Sequence, residues 1–280
     1  MAELCLVGYT YRGYPMRYAF ERAQAFGFQA VELRDFEDCD LSTPKRAAES
    51  LERAAELAGS CGLALRSLFY GPLPVSRERE RAAEEAAYEK VIATLAEWRV
   101  PILHTRLSLR RRSGVGEVVA AEADEDDYRA VQETLRRVVP MAEACRVRIA
   151  LETHMDTIHD AAASQLRIVS ECDSPWLTAS LDFANMLITN PREPLWETIQ
   201  AFGPRIGYTH CKNVKLSPTG YDWNLPLRYG DINYFRVLQA LRSAGYSGPL
   251  AIEYCGTGDP DVFAEEDARY LSGLAARVGM

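Results

Sequence analysis

The chain has 280 residues, of which 48% are hydrophobic, so it is long enough to bury a large core. Acidic residues outnumber basic ones by 40 to 32, and the net charge of −8 argues against a general nucleic-acid-binding protein. No apolar run approaches the roughly 18 residues of a membrane span. The first residues do not resemble a signal peptide, and the seven cysteines form no Cys-x-x-Cys pair, so we expect a cytoplasmic protein with reduced thiols.

Strand-like and helix-like segments alternate along the chain. Short apolar runs predict strands at 4–8, 30–34, 63–69, 101–107, 148–154, 178–183, 206–211 and 249–255. Capping residues and stop signals delimit the clearest helices between them, which are expected from Thr43 to Cys61, from Ser76 to Trp98, from Asp124 to Cys145 and from Asp231 to Ala244.

This alternation predicts a parallel sheet with right-handed crossovers. Eight such units, in a chain close to the typical length of about 250 residues, favour a single-domain (β/α)8 TIM barrel over residues 1–280. The alternative is an open, dinucleotide-binding sheet. It is weakened because no Gly-x-Gly-x-x-Gly motif follows a predicted strand.

Four of the apolar runs in the second half of the chain each end on a residue that can bind a metal ion. These residues are Glu152, Asp182, His210 and Glu253. A charge in a buried run is costly unless it is paired or bound to a metal, and TIM barrels carry their active sites at the carboxyl ends of the strands. Three carboxylates and one imidazole suit Mn²⁺, Mg²⁺ or Co²⁺ better than structural Zn²⁺, and we favour Mn²⁺. The alternative is four unrelated ion pairs or helix caps.

The motifs around these residues resemble those of the xylose-isomerase-like barrels, a family of sugar isomerases, ketose epimerases, inosose and 3-dehydroshikimate dehydratases and the endonuclease IV branch. The resemblance covers nearly the whole chain and rests on the segments 27–33, 151–154, 180–185, 208–213, 229–232 and 245–253. It implies that Glu152, Asp182, His210 and Glu253 bind a divalent cation. It also implies that Glu152 and Glu253 act as an acid–base pair, as in the epimerases.

Two residues near the expected ligands are candidate catalytic groups. His154 lies two residues after Glu152, on the same side of the strand, where the resemblance to the dehydratases implies a general base. The alternative is that it caps the following turn through Asp156 or Asp160. Lys212 lies two residues after His210 and is expected either to stabilise an oxyanion or substrate hydroxyl, or to pair with a carboxylate.

At two positions the chain departs from the family pattern. Asn185 stands where many epimerases and the endonuclease branch have a histidine, which argues against DNA repair and leaves Asn185 as a candidate substrate contact. Asn213 replaces the aspartate of the family's His-x-Lys-Asp motif, so this chain lacks that charge. His159 is expected at the surface, at the start of the next helix.

Four further residues are candidates for substrate binding. Arg106 is expected either to bind a carboxylate or phosphate through two hydrogen bonds, or to pair with a buried acid such as Glu152. Glu32 is expected to face the pocket or to pair with Arg34 or Lys212. The long connection 213–229 is expected to form a lid that places Trp223 or Arg228 over the site.

Together these features predict a divalent-metal-dependent isomerase or epimerase of a small ketose or related polyhydroxy-ketone. A cation that polarises a carbonyl lowers the cost of removing the neighbouring proton. The alternatives are a dehydratase of a cyclic hydroxy-ketone, such as 3-dehydroshikimate or inosose, and a non-catalytic ligand-binding barrel. The expected partner is a small sugar-like molecule, with no nucleic acid or membrane, and the sequence leaves a homo-oligomer open.

Overall fold

The computed structural model describes residues 2–76 and 82–280, and these form a closed barrel of eight parallel strands surrounded by helices. The strands of the barrel, in their order around it, are β1 (Leu4–Val7), β2 (Ala30–Leu33), β3 (Ala64–Val75), β4 (Ile102–Leu109), β5 (Arg148–Glu152), β6 (Leu177–Asp182), β7 (Ile206–Cys211) and β10 (Leu250–Ile252), which pairs again with β1. The predicted single-domain (β/α)8 TIM barrel is therefore confirmed.

Helices in the described residues form the outer layer. They are α1 (Met16–Ala25), α2 (Pro44–Ser60), α3 (Ala82–Glu97), α4 (Glu125–Cys145), α5 (Ala162–Cys172), α6 (Phe183–Thr189), α7 (Leu195–Phe202), α8 (Tyr234–Ser243) and α9 (Pro260–Val278). The predicted start of α3 after Ser76 falls on residues 77–81, outside the described residues. Across 2–76 and 82–280, no helix combines the length and apolar character needed to cross a bilayer.

Local chemistry explains where several helices begin. The Thr43 side chain accepts a hydrogen bond from the Arg46 amide at the start of α2, and Asp124 and Asp127 form a reciprocal capping box at the start of α4. Helix α8 begins three residues later than predicted, because Asn233 caps it instead of Asp231. Asp231 accepts hydrogen bonds from Lys215 and from the Leu216 amide.

Small side chains fill the inside of the barrel, just below the carboxyl ends of its strands. One buried cluster there consists of Cys5, Val7, Ala30, Ile102, Ala150, Tyr208 and Ala251. Most of these side chains are small, and inward-pointing residues of such barrels stack in layers. The next layer toward the carboxyl ends of the strands contains polar groups, and the candidate site is built there.

The connection 213–229 is not an irregular loop. Strands β8 (Lys215–Ser217) and β9 (Gly220–Asp222) form an antiparallel hairpin within it, and a 3-10 turn follows at Leu227–Tyr229. Asn213 ties the two ends of the connection together, since its Nδ2 donates to Leu227 O at 2.6 Å and its Oδ1 accepts from Ile232 N at 3.0 Å. The hairpin strands are only three residues long, too short to leave a periodic pattern in the sequence.

Candidate functional site

The fold brings the four predicted ligands together at the carboxyl ends of β5, β6, β7 and β10. Glu152 and Asp182 are the last residues of β5 and β6, and Glu253 follows β10 directly. One ligand atom from each of the four residues lies within 4.8 Å of the others, and all four side chains are buried. The Nδ1 atom of His210 lies 3.2 Å from Glu152 Oε1 and 3.7 Å from Glu253 Oε2.

Of the ligand atoms, His210 Nδ1 is buried without a hydrogen bond of good geometry among the described residues, and Asp182 Oδ2 has only a charged contact with Lys212. The other carboxylate oxygen of Asp182 caps helix α6 by accepting from the Asn185 amide at 2.9 Å. Buried polar atoms without partners are rare in native proteins, and an absent ion is one of the usual reasons. Three carboxylates and one imidazole form a donor set that fits a hard or borderline divalent cation.

Lys212 reaches into this cluster from the end of β7. Its Nζ lies 2.9 Å from Asp182 Oδ2 and 3.2 Å from Glu253 Oε2, and the Trp223 ring covers it at 5.6 Å. Burial disfavours the ammonium form, but the carboxylates of Asp182 and Glu253 outweigh this cost and hold the pKa of Lys212 well above its usual value. Lys212 is therefore a permanent positive charge beside the ligands.

The charges around the cluster do not cancel without a further cation. Glu32 lies beside His210, and with the three carboxylate ligands it makes four negative charges. Lys212 and Arg34 supply two positive charges, and Arg34 Nη1 lies 3.4 Å from Glu253 Oε1. Arg34 is also paired with Asp35, whose Oδ2 lies 2.7 Å from Arg34 Nε, so negative charge remains in excess when His210 is neutral and the carboxylates are ionised, and a divalent cation would reduce this excess.

The protonation of His210 depends on these negative charges. Burial disfavours the protonated ring, but the charges of Glu32 and Glu253 and the contact with Glu152 raise the pKa of His210 well above its usual value. Without a cation the ring therefore takes up a second proton. Cation binding would release it, because a histidine ligand must be neutral at the atom that binds.

Arg106 and His154 form a pair beside the cluster. Arg106 Nη1 lies 3.1 Å from Nε2 and 3.2 Å from Nδ1 of His154, and Arg106 has no carboxylate partner in the described part of the chain. The Nδ1 atom of His154 also lies 2.8 Å from the carbonyl oxygen of Met155. Donation from Nδ1 to this carbonyl leaves Nε2 as the proton acceptor of a neutral ring. Neither Asp156 nor Asp160 contacts the ring.

The other predicted site residues differ in how close they lie to the cluster of ligands. Asn185 is buried and donates to Thr153 O at 3.0 Å, so it fixes the backbone between Glu152 and His154. Glu32 is fully buried below His210, and its Oε1 lies 3.9 Å from Arg34 Nη1, which is one of the two predicted ion pairs. Arg228 is not part of the cluster, since its guanidinium lies 3.7 Å from Glu266 and stacks on the Tyr270 ring, both on helix α9.

The prediction that His159 lies at the surface was wrong. The side chain is fully buried, and its Nε2 accepts a hydrogen bond from the Leu107 amide at 2.8 Å. Burial lowers the pKa of His159 to about 3, so the ring is neutral. His159 thus joins β4, one residue after Arg106, to the segment that follows His154.

The alternation of His104 with Arg106 on β4 predicts that His104 faces the substrate, whereas the structure places it against Glu32, together with Ser67, which the sequence did not indicate. His104 Nδ1 lies 3.1 Å from Glu32 Oε2, and the Ser67 hydroxyl lies 2.9 Å from the same oxygen. The alternation of His104 and Arg106 on β4 was a usable signal for an inward-facing imidazole. The contact of Ser67 with Glu32 left no pattern in the sequence.

Comparisons with known proteins agree with this architecture. The chain is 25% identical over 166 residues to L-ribulose-5-phosphate 3-epimerase UlaE from Escherichia coli, and the match covers 59% of this chain and 57% of that protein. Thus the chain spans little more than half the length of the curated relatives that it matches.

Two solved structures share the fold. D-allulose 3-epimerase from Methylomonas sp. in complex with D-allulose superposes with a TM-score of 0.76 at 17% identity, over 97% of this chain and 96% of that one. The probable 3-DHS dehydratase AsbF from Bacillus anthracis superposes with a TM-score of 0.75 at 18% identity, over 96% and 98%. The model of the xylose isomerase-like TIM barrel family matches residues 20–274, and the chain belongs to this family.

Proposed function

We propose that the protein is a divalent-metal-dependent epimerase or isomerase of a small ketose or related polyhydroxy-ketone. The observation that carries this proposal is the convergence of Glu152, Glu253 and His210 on one buried point beside the Lys212 ammonium. The match to a sugar-phosphate epimerase supports the same reaction class. Glu152, Asp182, His210 and Glu253 would hold the cation, with Mn²⁺ favoured. When bound, it supplies polarisation of the substrate carbonyl and of an adjacent hydroxyl.

In this proposal Glu152 and Glu253 would exchange protons with the two faces of a substrate. They belong to β5 and to the end of β10, which are separated in the barrel by β6 and β7. Burial opposes ionisation of each, but contacts with His210, and with Lys212 for Glu253, lower the pKa of both carboxyls. One glutamate, as the carboxylate, takes up the proton next to the carbonyl, and the other, which must hold a proton in the substrate complex, gives that proton to the opposite face, which inverts the carbon and exchanges the protonation states of the two glutamates. Lys212 stabilises the negative charge on the substrate oxygen.

A second candidate is a dehydratase of a cyclic hydroxy-ketone that carries a carboxylate. The observation that favours it is the Arg106–His154 pair, in which the guanidinium has no carboxylate partner in the described residues. Arg106 would bind the substrate carboxylate, and the Nε2 atom of His154 would remove the proton next to the carbonyl. The same fold in a probable 3-DHS dehydratase is consistent with this alternative.

One experiment separates these functions. Metal-free protein is loaded with Mn²⁺ and incubated in D₂O with ketoses, ketose phosphates, inososes and dehydroshikimate. An epimerase exchanges the proton next to the carbonyl and yields a diastereomer that differs in mass from the substrate only by the deuterium it takes up. A dehydratase yields a product that has lost water. Exchange with none of these compounds, or failure to bind Mn²⁺, would favour the non-catalytic barrel.

Two variants make the experiment sharper. If Glu253→Gln retains full metal-dependent turnover, the two-glutamate epimerase mechanism is wrong. If His154→Ala still binds Mn²⁺ but has lost an activity whose product is dehydrated, the dehydratase is correct. Elimination of activity by Glu253→Gln with His154→Ala near wild type supports the epimerase.

We further propose that the connection 213–229 is a lid and that the protein acts in the cytoplasm. The lid is supported by the position of Trp223 over Lys212 and by the contact of Asn224 Oδ1 with the Thr257 amide at 3.1 Å. The location is supported by the seven free cysteines. Limited proteolysis with and without Mn²⁺ and substrate tests the lid, and identical cleavage in 213–229 would contradict it.

A further inference from the structure

A second polar cluster lies directly below the candidate ligands. It consists of Glu32 from β2, His104 from β4 and Ser67 from β3, and all three side chains are fully buried. Glu32 Oε2 lies 3.1 Å from His104 Nδ1 and 2.9 Å from the Ser67 hydroxyl. Glu32 Oε1 lies 3.4 Å from the Nε2 atom of His210. The rings of His104 and His210 meet edge to face, with centroids 4.5 Å apart.

We propose that Glu32 and His104 act as a brace that fixes the tautomer and orientation of His210 for cation binding. In this arrangement His210 donates Nε2–H to Glu32, and Nδ1 presents its lone pair to the cation. Glu32 and His104 are positioning residues that do not touch the substrate. The inference rests on the proposed function, because it assigns these residues a role toward the same cation.

The surroundings of His210 make such a brace necessary. Its two ring nitrogens face carboxylates on opposite sides, with Glu152 and Glu253 near Nδ1 and Glu32 near Nε2. A neutral imidazole carries one proton, so the side with the better acceptor decides which nitrogen keeps it. Without Glu32, the proton would stay on Nδ1 against Glu152, and the lone pair needed by a cation would be blocked.

His104 and Ser67 determine which oxygen of Glu32 is free for His210. Both contact Oε2, whereas Oε1 has no hydrogen bond within the described residues and lies 3.4 Å from His210 Nε2 and 3.9 Å from Arg34 Nη1. A buried carboxylate keeps its charge and its orientation only when its oxygens are satisfied. His104 therefore acts through Glu32, and its loss should change the cation site although it contributes no ligand there.

A second cation is the competing explanation, since Glu32, His104 and His210 also offer ligand atoms within 4.8 Å of one another. Glu32, however, presents a different oxygen to each ring, and neither His104 Nδ1 nor His210 Nε2 has another hydrogen bond among the described residues, so each is free to turn an N–H towards its oxygen. Ser67 also occupies the oxygen that His104 contacts. The brace accounts for these contacts without a further ligand.

The test measures cation binding in Glu32→Gln, Glu32→Asp and His104→Asn. Titration calorimetry with Mn²⁺ gives the affinity, the visible spectrum of the Co²⁺ form reports ligand geometry, and elemental analysis gives the number of ions per chain. Removing groups that orient metal-binding histidines typically costs about 10- to 100-fold in affinity. We expect a loss of this size for Glu32→Gln and about tenfold for His104→Asn, with an altered Co²⁺ spectrum in both. Glu32→Asp should recover part of the loss because it keeps the charge.

Tyr208→Phe is the matched control. Tyr208 lies next to this cluster: its hydroxyl contacts Ser67 at 2.9 Å but makes no hydrogen bond with Glu32, and phenylalanine would keep the ring contacts with His104 and His210. The Mn²⁺ affinity of the Tyr208→Phe variant should stay within about threefold of that of the wild type. Circular dichroism and thermal unfolding of the metal-free variants show whether each is folded.

A measurement on the wild-type chain covers the case in which the variants do not fold. The chain has four histidines, so imidazole nitrogen NMR of the Mg²⁺-loaded protein can be assigned with single His→Gln variants. We expect His210 to carry its proton on Nε2. A proton on Nδ1 overturns the brace, as do folded variants with wild-type affinity and spectrum.

The outcomes also separate the two proposals. Two ions per wild-type chain, with one lost in His104→Asn, would replace the brace by a second cation site. A wild-type chain that binds no cation overturns the proposed function and the brace together. Weakened Mn²⁺ binding in the variants without proton exchange in the D₂O experiment would overturn the proposed function alone.

Discussion

Three carboxylates and one histidine lie at the carboxyl ends of β5, β6, β7 and β10, whereas β3, β4 and the residue after β2 carry basic and aromatic groups. We call the first set the acidic half of the barrel mouth, which comprises Glu152, Asp182, His210 and Glu253. The basic half comprises Arg34, Phe69 and Arg106. Arg34 packs over the Phe69 ring at 4.2 Å, and the Arg106 guanidinium lies against the His154 ring and has no carboxylate partner among the described residues.

This difference separates two tasks. The acidic half gathers negative charge at one buried point, which is costly unless a cation is bound there. The basic half offers a guanidinium without a carboxylate partner, which is suited to a negatively charged or hydroxyl-rich part of a substrate. Arg34 connects the halves through its contact with Glu253, and Lys212 places a positive charge inside the acidic half. We therefore expect cation affinity and substrate recognition to respond to different substitutions.

Asp182→Asn should have the largest effect. Asparagine keeps the side-chain oxygen that caps α6 through the Asn185 amide, so the fold should be retained. The ligand charge is lost, and Lys212 loses one of its two carboxylate contacts. We expect at least about 100-fold weaker Mn²⁺ binding and a fall in turnover on the order of 10³, equivalent to about 4 kcal/mol. Calorimetry and proton exchange in D₂O measure the two effects.

Chelator treatment of the wild-type chain is the control for Asp182→Asn. It should abolish proton exchange, and added Mn²⁺ should restore it in wild type but not in the variant at the same concentration. Wild-type Mn²⁺ affinity in folded Asp182→Asn would show that the acidic half is not the cation site.

Arg106→Met tests the basic half. Methionine keeps the apolar stem and removes the guanidinium, so the Mn²⁺ affinity should be unchanged. The specificity constant kcat/KM should fall about 10- to 100-fold, since a hydrogen bond to a charged group contributes about 1.5–3 kcal/mol. Arg34→Met is the matched comparison, because it removes the contact with Glu253 and should weaken Mn²⁺ binding. Equal losses of Mn²⁺ affinity in both variants would mean that the two halves are not independent.

The acidic half was predictable from the sequence and much of the remainder was not. Glu152 and Asp182 stand at the ends of regular strands, and a parallel barrel places such ends on one rim, so sequence position alone indicates that they are neighbours. The buried acceptor role of His159 depends on Leu107, which lies 52 residues earlier in the chain. The direction of Arg228 depends on Glu266 of α9. Contacts between such distant segments leave no local pattern.

His159→Phe should weaken the connection between the halves. The phenyl ring cannot accept the hydrogen bond of the Leu107 amide, and a buried donor without a partner costs about 1–3 kcal/mol. We expect the free energy of unfolding, measured in urea, to fall by about this amount. Turnover should fall as well, because His159 joins the strand of Arg106 to the segment of His154. His159→Gln, which can accept the same hydrogen bond, should lose less, and equal losses in both variants would contradict this role.

The smallest expected effect is a pH-dependent change in the free energy of unfolding. It concerns the connection 213–229, which Asp267 contacts at Leu227. Asp267 on α9 accepts a hydrogen bond from the Leu227 amide at 2.7 Å, and burial raises the pKa of its carboxyl to about 7. Between the ordinary carboxyl value of 3.8 and about 7, the folded chain therefore holds a proton that the unfolded chain has lost. The free energy of unfolding should fall as the pH rises through this range, since the folded state binds more protons.

Asp267→Asn should abolish this contribution, because the amide oxygen accepts the same hydrogen bond and does not ionise. We expect the variant and wild type to have similar stability near pH 5. By pH 8 the variant should be more stable by at least about 1.4 kcal/mol, the equivalent of one pKa unit. Urea unfolding from pH 5 to pH 8 measures the difference. A constant difference in the free energy of unfolding between variant and wild type over this range would mean that Asp267 has the same pKa in the folded and unfolded chain. Its hydrogen bond with the Leu227 amide would then not depend on its protonation.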